Sequence, residues 1–144
     1  MTTSSMDKIQ FTIKGRSVKP KVKTPSLKQA QNKKWEDMLA FQLRTTSIPH
    51  YPLFVREWII PELGRKWRWD FCDIQNKVCI EVQGSIWSKG QSGHKSGAGI
   101  TKDHEKYNAA QFHGYKVFQV TSDTIRNLSA IDMLVRFYKE KVFK

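Results

Sequence analysis

Two short segments with two-residue alternation constrain this chain more than any other feature. They are Trp67-Arg68-Trp69-Asp70-Phe71-Cys72 and, after a brief turn, Val78-Cys79-Ile80-Glu81-Val82-Gln83-Gly84. Such alternation marks half-buried strands. On the first, Trp67, Trp69 and Phe71 are expected on one face, with Arg68, Asp70 and Cys72 on the other. On the second, Val78, Ile80 and Val82 share a face, and Cys79, Glu81 and Gln83 share the opposite one. A hairpin turning at Gln75-Asn76 sets Asp70 opposite Glu81 and Cys72 opposite Cys79. Residues opposed in this way lie on the same face, roughly 4.5–5.5 Å apart at the β-carbon. Two carboxylates then point at one spot on an otherwise apolar hairpin.

Like charges placed opposite each other on a sheet repel, and one of them tends to take up a proton. A divalent cation between them resolves the conflict, and hard oxygen ligands suit Mg²⁺ or Mn²⁺ rather than zinc. The alternative is that Asp70 closes its strand and pairs with Arg68 or another surface base. The connecting Ile74-Gln75-Asn76-Lys77 lacks the Asn-Gly or Asp-Gly pair that would set the register. Cys72 and Cys79 are the only cysteines, and neither they nor His50, His94, His104 and His113 form a zinc motif. A disulfide across the hairpin is geometrically open to the two thiols, but two reduced core thiols are the expectation for a chain without a secretory signal.

The 144 residues suit one domain, and the net charge of +12 is unevenly spread. Residues 1–34 carry nine Lys or Arg against one acid, in a Ser/Thr/Lys-rich stretch too poor in aromatics to build a core. Residues 1–30 read as a basic leader and 31–144 as the folded domain. A leader of this charge suits a solvated tail or a contact with a phosphate backbone. No run approaches the ~18 apolar residues of a membrane span, so no membrane partner is expected.

Along the domain, Asn32 to Leu43 has the spacing of an amphipathic helix, with Trp35, Met38, Leu39 and Leu43 on one stripe. Phe54 to Ile60 reads as a first strand closed by Pro61 and Gly64, and the hairpin supplies two more. A Gly- and Lys-rich loop from Gly84 to Ile100 follows, holding Lys89, His94 and Lys95. Thr101 is expected to cap a helix to about His113 that ends at Gly114. Tyr115 to Thr121 is a fourth strand, expected parallel to the third, and a final helical region starts at Ser122 or Asp123. Lys102 and Lys106 lie one turn apart on the middle helix, facing either the hairpin carboxylates or solvent beside Asp103 and Glu105.

Asp70, then Glu81-x-Gln83 on the next strand, inside a helix, three-strand, helix, strand order, resembles the PD-(D/E)XK nuclease superfamily. The likeness is closest to small phage and bacterial endonucleases. Asp103-His104-Glu105-Lys106-Tyr107-Asn108 and Gly114-Tyr115-Lys116-Val117 resemble that group's helix and fourth strand. The resemblance implies an α/β, restriction-endonuclease-like αβββαβ core: a mixed four-stranded sheet flanked by helices, with a C-terminal helix added. It implies metal ligation by Asp70 and Glu81, with the carbonyl of Val82 and with Glu36 from the first helix. Gln83 stands where the superfamily pattern has lysine, and Lys106, then Lys102, are the cations expected to replace it. His94 is a weaker candidate as proton shuttle or phosphate ligand.

Glu57 on the first strand is a further acid for this site if the register turns it toward Asp70. Arg65, Lys66 and Arg68 flank the site as phosphate positioners. Lys89, Lys95 and Lys102 are further nucleic-acid contacts. The implied activity is Mg²⁺-dependent (or Mn²⁺-dependent) hydrolysis of phosphodiester bonds in DNA, in the cytoplasm of a bacterial or phage-infected cell. A small site that cuts a duplex often needs a partner, which leaves a homodimer as one arrangement. The rival readings are a nucleic-acid-binding module with a decayed site, and an assembly protein whose basic tail meets nucleic acid incidentally.

Overall fold

The computed structural model describes residues 24–46, 54–84 and 97–143; Lys89, His94 and Lys95, and all of residues 1–23, lie outside the described residues. The first helix, α1 (Leu27–Thr45), starts five residues before the expected Asn32. Ser26 and Gln29 explain the earlier start through a capping box. The Ser26 hydroxyl accepts from the Gln29 N–H at 3.3 Å, and the Gln29 side chain accepts from the Ser26 N–H at 3.0 Å. The helix therefore begins within the stretch read as leader.

Four strands follow the expected order: β1 (Phe54–Ile59), β2 (Arg68–Asp73), β3 (Val78–Gln83) and β4 (Lys116–Thr121). They form one mixed sheet in the order β1-β2-β3-β4, antiparallel except for the parallel β3–β4 pair. Helix α2 (Gly97–Phe112) connects β3 to β4. It begins a turn before Thr101, which is not its cap. The Thr101 hydroxyl instead donates back to the Gly97 carbonyl at 2.9 Å. Gly114 ends this region with φ 84°, a left-handed conformation that costs glycine nothing. The final helical region is broken: α3 (Ser122–Arg126) is capped by Thr121, then α4 (Ser129–Phe137) and a π-helical turn (Tyr138–Val142) follow. Leu128, at φ 67°, makes the break.

Each face of the sheet has its own core. On one, Leu39 and Leu43 of α1 meet Phe71, Ile80, Val82 and Val120 of the sheet and Ile125, Ile131 and Leu134 of α3 and α4. On the other, Trp69, Cys72 and Cys79 pack with Ala110 and Tyr115, with Trp58 and Tyr107 against them. Burying each such aliphatic or aromatic side chain stabilises by about 1.5–3 kcal/mol. Among the described residues, no helix is long and apolar enough to cross a membrane.

From the turn outward the hairpin register is the expected one, with Phe71 paired to Ile80 and Cys72 to Cys79, but the ladder ends there and does not reach the expected Asp70–Glu81 pair. The two cysteines are free and buried, their Sγ atoms 3.2 Å apart. A buried aspartate, Asp73, supplies what the turn sequence lacks. Its carboxylate accepts from the Asn76 N–H at 3.1 Å, the Asn76 side-chain amide at 2.8 Å and the Tyr138 hydroxyl at 2.8 Å. Lys77 completes the turn at φ 54°.

One face assignment is corrected. Trp69 does not share a face with Phe71; it lies with Cys72 in the α2-side core, while Phe71 lies in the α1-side core. The break is matched on β1. Arg56 pairs with Phe71 and Trp58 with Trp69, so no residue is inserted, yet Glu57 between them has φ 52°. Alternation breaks at this point on both strands, since Arg56 lies over Phe71 while Trp58 packs with Trp69 in the α2-side core.

Candidate active site

Asp70 lies where the β2–β3 ladder stops. Paired residues run only to Phe71 and Ile80, and beyond them the Asp70 Oδ2 accepts the Val82 backbone N–H at 2.7 Å. A side chain thus takes over from the backbone ladder and holds the carboxylate at the point of divergence. Glu81, on the α2 face of β3, meets Lys106 of α2 with its Oε1 2.5 Å from Nζ. The side chains of both are largely buried, 14 % and 13 % exposed. Lys106 also donates to the Arg68 carbonyl at 2.6 Å and lies 4.3 Å from the centre of the Trp69 ring. This ammonium is therefore anchored by a carboxylate, a carbonyl and an aromatic face at once. Lys106 is not the solvated partner of Asp103 and Glu105.

The electrostatics follow from burial. Desolvation raises the Glu81 pKa to about 7, helped by the neighbouring charge of Asp70 and opposed by Lys106. Burial also raises the Asp70 pKa, against the Val82 N–H, Lys106 and Arg56, which favour the charged form. Glu36 on α1 is raised first by burial and then by the charge of Asp70, with Arg56 opposing. Asp70 is thus coupled to Glu81 on the α2 side and to Glu36 on the α1 side.

Arg56 and Glu57 complete the surroundings. Arg56 pairs with Glu36 at 3.3 Å and Asp37 at 2.7 Å, and its guanidinium lies 5.4 Å from the centre of the Phe71 ring. Glu57 occupies the β1 position between the two pairs that bracket Asp70. A cavity of about 1020 Å³ opens beside them, lined by Asn32, Lys33, Glu36, Asp37, Arg56 and Glu57 among others. Gly84, which ends β3, is approached so closely by Asn32 of α1 that a β-carbon there would come within 2.0 Å of its Oδ1. A side chain at position 84 would require the Asn32 amide to turn away.

The other predicted site residues take different positions. Gln83 turns toward α2, where its side-chain amide donates to the Tyr107 hydroxyl at 3.1 Å. Val82 buries its side chain in the α1-side core and offers its N–H to Asp70. Arg65, Lys66, Arg68 and Lys102 are exposed, and the Arg65 guanidinium lies 5.4 Å from the centre of the Trp67 ring. Sequence reasoning missed Arg56 and Tyr107. Arg56 carried a signal, a base beside Glu57 on an otherwise apolar strand, whereas Tyr107 matters only because of the turn that α2 presents to Gln83.

Among the described residues, no group of three His, Cys, Asp or Glu side chains converges to hold a metal ion. The chemistry of Asp70 and Glu81 still fits a hard divalent cation. Both are oxygen donors, each destabilised as an anion by burial, and Mg²⁺ commonly uses one or two carboxylates while keeping several waters.

No protein-family profile matches the chain, and no curated protein matches it significantly. Among solved structures, it is similar to the catalytic domain of the homing endonuclease I-Bth0305I. The likeness has 18 % sequence identity and a TM-score of 0.51, covering 72 % of this chain and 91 % of that domain. At this identity the comparison speaks for the fold. The mixed four-stranded sheet with flanking helices is an architecture that a nuclease catalytic domain also uses.

Proposed function

We propose that this chain is a metal-dependent endonuclease of the PD-(D/E)XK type that hydrolyses phosphodiester bonds in DNA. The observation that carries the reading is the placement of Asp70 and Glu81 on adjacent strands just past the end of their ladder, with Lys106 held against Glu81. The fold shared with a homing-endonuclease catalytic domain supports it. Asp70 and Glu81 would hold Mg²⁺ or Mn²⁺, with Glu36 and the Val82 carbonyl as further candidates. A bound divalent ion would activate a water and offset charge on the phosphate. Asp70 is oriented for this role by the Val82 N–H, which restricts its rotation. Lys106 provides the positive charge nearest Glu81 and is the residue we assign to the charge that builds on the phosphate oxygens. Arg65, Lys66, Arg68 and Lys102, together with Lys89 and Lys95, are assigned to the DNA backbone. A duplex cut on both strands would take two such sites, and a homodimer would supply them.

A second reading has its own observation. Gln83 stands at the expected lysine position and faces Tyr107 rather than Asp70, which favours a nucleic-acid-binding module that has lost catalysis. Supercoiled plasmid incubated with Mg²⁺ and, separately, with EDTA distinguishes the two. Nicking or linearisation in Mg²⁺ alone supports the endonuclease. Retarded but intact plasmid in both supports the binding module.

A further inference from the structure

A smaller cavity lies on the α2 side of the sheet, one strand across from Glu81. It measures about 250 Å³ and is lined by Gln83, Ile100, Asp103, His104, Tyr107 and Gln119. The parallel β3–β4 register sets Glu81 directly beside Gln119. Neighbouring strands are about 4.8 Å apart, so Gln119 stands next to Glu81 on the same face. The bond from Gln83 to the Tyr107 hydroxyl draws the Gln83 carboxamide to the same place.

The lining selects among the parts of a nucleotide. It holds two carboxamides, a phenol, an imidazole and a carboxyl group beside the apolar Ile100. The Tyr107 hydroxyl, raised to about 12 mainly by burial, keeps its proton at neutral pH and stays a donor. Carboxamide and phenol groups beside an apolar wall suit the edge and face of a planar heterocycle. Carboxamides are well matched to base edges because each offers a donor and an acceptor side by side. A base stacked inside a duplex cannot enter a side pocket of this size; an unpaired or flipped base can.

We propose that this cavity binds one unstacked nucleobase, that of a nucleotide adjoining the phosphate held at Asp70 and Glu81, with Gln119 and Gln83 contacting its hydrogen-bonding edge. The proposal rests on the endonuclease reading and adds to it a preference for substrates that are single-stranded or locally unpaired at the cut.

The test uses the full chain with Mg²⁺ and a pool of single-stranded oligonucleotides randomised in sequence, with the cut ends sequenced. The wild type is expected to enrich one base at a fixed position next to the cut, and Gln119→Ala to lower that enrichment about tenfold, the scale of one lost amide–base contact. A second arm leaves the protein unaltered: an oligonucleotide made abasic at that position should be cut about tenfold more slowly. Equal end profiles for wild type and Gln119→Ala, or a wild type with no base enrichment, would overturn the pocket assignment while leaving the endonuclease standing. A wild type that cuts neither plasmid nor oligonucleotide overturns the endonuclease reading and this proposal with it.

Discussion

Glu81 is held in the folded chain with a pKa of about 7 because burial and the charge of Asp70 outweigh Lys106. The folded state therefore binds this proton more firmly than the unfolded chain, whose carboxyl titrates near 4.5. Its contribution to stability is fully present below about 4.5 and is lost as pH rises through about 7. In EDTA, thermal unfolding should show this contribution shrinking between pH 5 and pH 8, and Glu81→Gln should flatten that segment of the curve. Asp70→Asn keeps an oxygen for the Val82 N–H but removes one of the coupled charges. It should raise the melting temperature at pH 8 without metal, yet abolish Mg²⁺-dependent cleavage; cleavage at the wild-type rate would refute the site. Lys106→Ala should lower turnover by about a hundredfold with little change in DNA affinity, the scale of losing one preorganised donor, about 2.7–4 kcal/mol. Weakened binding with unchanged turnover would make Lys106 a backbone contact instead.

The β2–β3 hairpin is held differently at its two ends. At the turn, Asp73 gathers the Asn76 backbone and side chain and the Tyr138 hydroxyl, tying the hairpin to the C-terminal π-helical turn. At the other end the ladder stops short of Asp70, whose half-buried carboxylate takes the Val82 N–H in its place. A hairpin locked at one end tolerates divergence at the other. Tyr138→Phe deletes a buried bond to an anion and should cost about 1.5–3 kcal/mol in urea-induced unfolding, with cleavage per folded molecule retained. A stability unchanged by the substitution would show that Asp73 needs only Asn76. Helix α2 plays the complementary part, since one face delivers Lys106 to Glu81 and the next residue, Tyr107, to Gln83.

Charge is the property of the whole molecule that bears on its partner. Residues 1–23 contain six Lys or Arg and one acid, and they precede the Ser26 cap, so removing them leaves α1 its own start. Their deletion should weaken DNA binding and flatten its salt dependence. Six phosphate contacts would shift the slope of log K against log salt by about five, and partial contact by about two or three. Fluorescence anisotropy with a labelled oligonucleotide over a salt series measures it. An identical slope would assign the leader some other purpose.

The order of strands and helices and the hairpin register up to Phe71 were legible in the sequence because they depend on local periodicity, and the parallel return of β4 because a helix crosses over between it and β3. The neighbourhood of Asp70 was not. Alternation placed Trp69 and Phe71 together, but the structure sets them on opposite faces, at the point where Glu57 on the paired strand has φ 52°. The capping box at Ser26 was present in the sequence as a Ser-x-x-Gln spacing, yet the basic charge around it masked the start of the helix. Sequence determined which charged residues were available: Asp70, Glu81, Glu36, Lys106 and Arg56. Tertiary structure decided which of them meet. Lys106 reaches Glu81 across twenty-five positions of chain, and Arg56 reaches Glu36 across twenty. No local pattern encodes such contacts, because they depend on how the helices pack over the two faces of the sheet.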